Sequence, residues 1–133
     1  MIVVDASLAV GWILLEQESQ GTNDLYKRTI TEGAIGPLIF EIEVANAPRT
    51  NLRRGRIDGA ERNEALSFLA RMNVTIPSDQ PSLTEIISLS DRHDITTYDA
   101  SYVALAQKHG ALLATLDQAM ARAARAEGFP VLP

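Results

Sequence analysis

The chain has 133 residues, 46% hydrophobic and 22% charged, the size and balance of a soluble domain that can bury its own core. It has no cysteine, which excludes disulfides, zinc–thiolate sites and cysteine nucleophiles and fits a reducing cytoplasm. A net charge of −5 excludes nucleic-acid binding by bulk electrostatics alone, but not an enzyme with clustered carboxylates and a separate basic surface.

Residues 2–4, Ile-Val-Val, read as a short buried strand that ends at Asp5. Asp5 interrupts the apolar run and no basic segment precedes it, which argues against a signal peptide. No stretch approaches the roughly 18 apolar residues of a membrane span, so a cytoplasmic protein is expected. Residues 6–17 read as a helix with an apolar face through Leu8, Trp12 and Leu15, and residues 20–32 as a second helix ending at Gly33. "AIG" (34–36) is a brief strand before Pro37. The run 38–54 has helical composition and stops at Gly55, but Pro48 lies inside it, and a break near 46–49 is expected. A helix over 58–72, a strand "NVTIP" (73–77) and a helix over 82–92 follow, the last with Ser82 and Glu85 as a capping box. The remainder reads as helix 99–109, strand 111–115, helix 118–127 and a terminal strand at Val131-Leu132.

Short, continuously apolar strands alternating with helices imply a parallel sheet covered on both faces. The expected fold is α/β: a single domain over 1–133, a three-layer α/β/α sandwich around a mostly parallel sheet. In such sheets ligands bind beyond the carboxyl ends of the strands. Asp5 and Asp117 directly follow strands, and Asp99 sits at a helix start, so all three belong to that edge. Glu41 and Glu43 point roughly 200° apart on a helix of 3.6 residues per turn, so only one can join them. Glu43 shares its face with Asn46 at i+3 and is preferred.

Carboxylates crowded together repel, and some would be forced to take up protons. A hard divalent cation removes that conflict: Mg²⁺ or Mn²⁺ prefers oxygen ligands and takes one or two carboxylates together with substrate phosphate. Three or four acids without histidine or cysteine thus point to metal-dependent phosphoryl chemistry. Each acid also has a plainer reading. Asp5, Asp99 and Asp117 can be helix N-caps, and Glu43 a solvated helix residue. Asp94 reads as a loop residue close enough in sequence to be a fifth acid. His93 and His109 fall near helix C-termini, where the dipole favours them. The Ser7 and Thr115 hydroxyls can orient a carboxylate or simply cap. The segment 49–62 carries five arginines against Asp58 and Glu61, a local charge of +3; Arg49, Arg53, Arg54 and Arg56 are candidate RNA phosphate contacts or a solvated surface.

"MIVVDAS", "GPLIFEIEVANA" and "TTYDASYVALAQKHGALLATLD" together resemble the PIN domain, and more narrowly the VapC toxins of toxin–antitoxin pairs. The resemblance runs over essentially the whole chain. It implies a metal-dependent endoribonuclease that binds one or two Mg²⁺ or Mn²⁺ ions through Asp5, Glu43, Asp99 and Asp117 and hydrolyses RNA phosphodiester bonds. It also implies supporting polar residues at Ser7, Asn46 and Thr115, a homodimer, and restraint by a VapB-type antitoxin. Pro48 departs from the family pattern and raises an alternative, a catalytically impaired PIN domain that binds RNA or a partner. A receiver-type signalling domain is the remaining reading. It would need Asp79 as phosphoacceptor, and it lacks the lysine expected after strand 111–115.

Overall fold

The computed structural model describes residues 1–16 and 19–133. Its five strands are β1 (Ile2–Val4), β2 (Ala34–Ile35), β3 (Val74–Thr75), β4 (Leu112–Ala114) and β5 (Val131–Leu132). They form one sheet in the order β3-β2-β1-β4-β5, every pair parallel. The described helices are α1 (Ala6–Ile13), α2 (Gln20–Glu32), α3 (Phe40–Arg53), α4 (Gly59–Arg71), α5 (Leu83–His93), α6 (Thr97–His109) and α7 (Gln118–Ala126). The expected α/β fold with a parallel sheet is therefore the observed one. The first helix ends at Ile13; residue 17, the last of its expected span, lies outside the described residues.

The topology makes the site. From β1 the chain moves outward in one direction to β2 and β3, then returns across the sheet to β4 and β5. Right-handed crossovers put α1–α4 on one face and α5–α7 on the other. The direction of winding reverses between β1 and β4, and the crevice beyond the carboxyl ends of strands at such a reversal is where open α/β sheets bind ligands. The register aligns Ile2, Val3 and Val4 with Leu112, Leu113 and Ala114. One step further, Asp5 comes level with Thr115.

β1 is buried along its whole length, as a central parallel strand should be. α6 is buried from Ala100 to Ala106, all round its circumference. Ala100, Ala104 and Ala106 keep it slim enough to lie close to the sheet. On the other face Tyr26 of α2 packs between Trp12 of α1 and Phe68 of α4, each ring centroid 5.6 Å away. The Trp12 indole N–H donates to the Thr22 carbonyl at 3.2 Å.

Two expectations are corrected. Pro48 does not break its segment: α3 runs unbroken from Phe40 to Arg53 with Pro48 buried inside it. Proline removes one ladder hydrogen bond, but α3 is clamped by packing against both α1 and α4, and tertiary context overrides local propensity. The helix expected to begin at Asp99 begins at Thr97. Thr96 is its N-cap, and the Thr96 hydroxyl accepts the Asp99 amide at 3.1 Å.

Candidate active site

Asp5 leaves the end of β1 nearly sealed from solvent, 2% exposed. Its carboxylate caps α1, accepting the Ser7 amide at 2.5 Å and the Ser7 hydroxyl at 2.8 Å. It also accepts the Thr115 hydroxyl, a contact between residues 110 positions apart. Thr115 Oγ1 in turn accepts the Asp117 amide at 2.9 Å, and Asp117 caps α7 by accepting the Met120 amide at 2.8 Å. A hydrogen-bonded chain thus joins Asp117 through Thr115 to Asp5, across the ends of β4 and β1. Asp5 and Asp117 are therefore helix caps, and the capping leaves each at the candidate site.

Glu43 and Asp99 arrive from helices on opposite faces. Glu43 lies in the first turn of α3, half-buried, and Asp99 in the first turn of α6. Thr96, not Asp99, caps α6, and the Thr96 side chain also bonds the Asp99 carboxyl, opposing part of its upward shift. Tyr102, one turn further along α6 and only 1% exposed, donates its hydroxyl to Glu43 Oε1 at 2.7 Å. This bond ties the two faces together above β1. Tyr102 was not among the residues picked from sequence, although its i+3 spacing from Asp99 places both on one helix face.

The charges of the four acids act on one another. Burial pushes the Asp99 carboxyl above its ordinary range, and the charges of Asp117, Asp5 and Glu43 push it further. Asp5 is raised by burial and by Asp117, against the lowering effect of its bonds from Thr115 and Ser7. Glu43 is raised by burial and by Asp5, against its bond from Tyr102. Tyr102 is raised by burial and by its bond to Glu43, so it remains a neutral donor. The surplus is all negative.

Other candidates fall elsewhere. Asp94 is an exposed left-handed residue that ends α5 and takes no part in the acid cluster. His93 pairs with Glu127 at 3.2 Å, and His109 contacts the Asp79 carbonyl at 2.8 Å, both structural. Asp79 sits beside Lys108 and His109, at the opposite end of α6 from Asp99, and it follows an edge strand. That placement removes the receiver-domain reading. Arg49 lines the same groove as Glu43 and Asn46. Arg53, Arg54 and Arg56 are exposed. Arg53 lies ten residues beyond Glu43, roughly 15 Å along the helix axis, so these three are set apart from the acids. Because α3 is unbroken, Glu43, Asn46 and Arg49 keep one face in spite of Pro48.

The PIN-domain family model matches residues 2–126. The chain belongs to the PIN-domain family. This PIN domain is 31% identical over 133 residues to Ribonuclease VapC3 of Pyrobaculum aerophilum, covering 98% of this chain and 96% of that one. It is also 31% identical over 117 residues to the VapC ribonuclease Mb0985 of Mycobacterium bovis, covering 88% and 86%. Among solved structures it is similar to PAE2754 from Pyrobaculum aerophilum, with a TM-score of 0.72, 24% identity and coverage of 98% and 89%. FitAcB from Neisseria gonorrhoeae has a TM-score of 0.69, 22% identity and coverage of 100% and 97%. These two likenesses speak to the fold.

The donor set of this PIN domain suits a hard divalent ion. It is all oxygen, and its uncompensated negative charge on Asp99 is what a cation would neutralise. Among the described residues, no three carboxylate or imidazole side chains close into a ready-made ligand cage. Also among the described residues, no helix is long and apolar enough to cross a membrane.

Proposed function

We propose that this chain is a VapC-type endoribonuclease whose Asp5, Glu43, Asp99 and Asp117 hold one or two Mg²⁺ or Mn²⁺ ions over the ends of β1 and β4. The observation that carries this reading is that Asp99 feels the charge of all three other acids at the point where the sheet winding reverses. The relatives named ribonucleases supply the reaction. When bound, the divalent ion supplies a Lewis acid and a positive charge against the phosphate.

The protein's own residues do the rest. Three hydrogen bonds from Ser7 and Thr115 fix the orientation of the Asp5 carboxylate. Tyr102 does the same for Glu43. Thr96 caps α6 and holds the Asp99 carboxyl by a side-chain hydrogen bond. Such fixed surroundings are what ligating carboxylates need, because outer-shell partners set ligand orientation. In the same reading the protein is a cytoplasmic homodimer restrained by a VapB-type antitoxin lying across this groove.

The test is cleavage of total RNA by purified, antitoxin-free protein in Mg²⁺, Mn²⁺ or EDTA, beside Asp99→Asn. Discrete fragments that require both metal and Asp99 are expected. Fragments that persist in EDTA, or that the Asp99→Asn protein yields at the parent rate, would refute the assignment.

A further inference from the structure

Next to the acids lies a groove of about 470 Å³ lined by Ile42, Glu43, Ala45, Asn46, Arg49 and Tyr98, a volume in the roughly 300–1,000 Å³ range of small-ligand sites. Five of these residues lie on α3. Ile42, Ala45, Asn46 and Arg49 follow the i, i+3, i+4, i+7 spacing of one helix face. Ala45 keeps the middle of that face low. Tyr98 closes the groove from the first turn of α6, immediately before Asp99. Tyr98 is 58% exposed, and Ile42 is 77% exposed. Among the described residues, no hydrogen bond or ion pair engages the Asn46 amide, the Arg49 guanidinium or the Tyr98 hydroxyl.

An exposed aromatic ring, a free amide and a free guanidinium beside a phosphoryl-transfer site match the chemistry of a particular ligand. Unpaired RNA bases stack on aromatic side chains, their edges take hydrogen bonds, and the adjoining phosphate takes a cation. An amide offers two donors and an acceptor, enough to read a base edge. Resting on the endoribonuclease reading above, we infer that Tyr98, Asn46 and Arg49 form a subsite for one unstacked base of single-stranded RNA, the base flanking the cleaved bond. Tyr98 stacks the base, Asn46 reads its edge, and Arg49 holds its phosphate. Glu43 borders both this groove and the acid cluster, so the captured base fixes which phosphate reaches the acids. Tyr98 and Asn46 are then positioning and specificity residues.

The experiment uses the Asp99→Asn protein with Mg²⁺, in which strands bind without being cut, and single-stranded RNA 12-mers of random sequence. A second set carries one abasic position at each place in turn. Binding is read by anisotropy. Tyr98→Ala is expected to weaken binding roughly tenfold to a hundredfold, the range of one lost stack, while Tyr98→Phe binds like the parent. The loss should vanish on strands abasic at one position only. Asn46→Ala should flatten base preference at that same position. Arg49→Gln should weaken intact and abasic strands equally, as a phosphate contact does.

Unchanged affinity in Tyr98→Ala, or an equal loss on every abasic strand, overturns the inference. So does an affinity loss that follows conversion of a dimer to a monomer by sedimentation, which would assign the patch to a second copy of the chain. Absence of any RNA binding overturns it as well. The nuclease reading is judged separately, by metal- and Asp99-dependent cleavage in the otherwise unaltered protein, so the two can fail independently.

Discussion

Asp5 and Asp117 leave the ends of neighbouring strands and are locked by hydrogen bonds to Thr115, Ser7 and Met120. Glu43 and Asp99 ride on helices from opposite faces, more open to water, with Tyr102 bonded to Glu43 and Thr96 to Asp99. The strand-end pair is built into the framework: removing either acid removes a helix cap. The helix-borne pair is placed by packing and costs the fold charge repulsion while no cation is bound. One site therefore combines a rigid half that sets geometry with a half that the fold would shed if stability alone mattered.

The largest expected contrast is between Asp5→Ala and Asp99→Asn. Both should lower cleavage by at least about a hundredfold, the scale of losing one preorganised charged group. Only Asp5→Ala should also destabilise, by about 1–2 kcal/mol after relief of repulsion offsets part of the lost cap and buried hydrogen bonds. Equal melting temperatures for the two variants would break the distinction between the halves.

Next comes pH. An acid whose folded value is raised contributes stability that is fully present below its ordinary value, 3.8 for Asp99, and is lost as pH rises through the folded value. The metal-free parent and Asp99→Asn should therefore melt together near pH 3.5. Between pH 4 and 7 the parent should fall progressively below Asp99→Asn. Mg²⁺ should close that gap at pH 7 and change nothing at low pH. A gap that does not vary with pH would show that the charge on Asp99 is already compensated.

Thr115→Val probes the link within the rigid half. It removes the donor to Asp5 and the acceptor for the Asp117 amide, and about 1–2 kcal/mol of stability is expected to go with them. Cleavage should drop roughly tenfold to a hundredfold, as for other outer-shell partners. Tyr102→Phe is the mildest change: about 1 kcal/mol, with a loss of cleavage below the tenfold that a typical outer-shell partner costs. A larger effect at Tyr102 than at Thr115 would reverse the ranking of the two halves.

The sequence carried the strand-end acids in plain view. A buried run that stops at Asp5, and another that stops just before Asp117, fix both residues at the carboxyl edge before any tertiary contact is known. The helix-borne acids were less legible, because their placement depends on packing between faces. Asp99 was misread as a possible cap, although Thr96 stands three residues ahead of it and has the side chain to do that work. Pro48 misled in the other direction: local propensity predicted a break, and contacts with α1 and α4 keep the helix continuous through it. Tyr102 stayed hidden since an aromatic residue in an apolar helix reads as core. It is core, and only its hydroxyl reaches the site.

The bond between Thr115 and Asp5 also sets a timetable. Chains are made from the N-terminus, and domains fold as units. Asp5 and Glu43 emerge from the ribosome well before α6 and β4 exist, so a growing chain carries half a site with no partner for β1 on its β4 side. A message cut or a frame lost anywhere before α7 yields a protein without Asp117, which on the proposed assignment is inert toward RNA. The nuclease therefore comes into being all at once, late in its own synthesis, when nearly the whole chain is already available to fold.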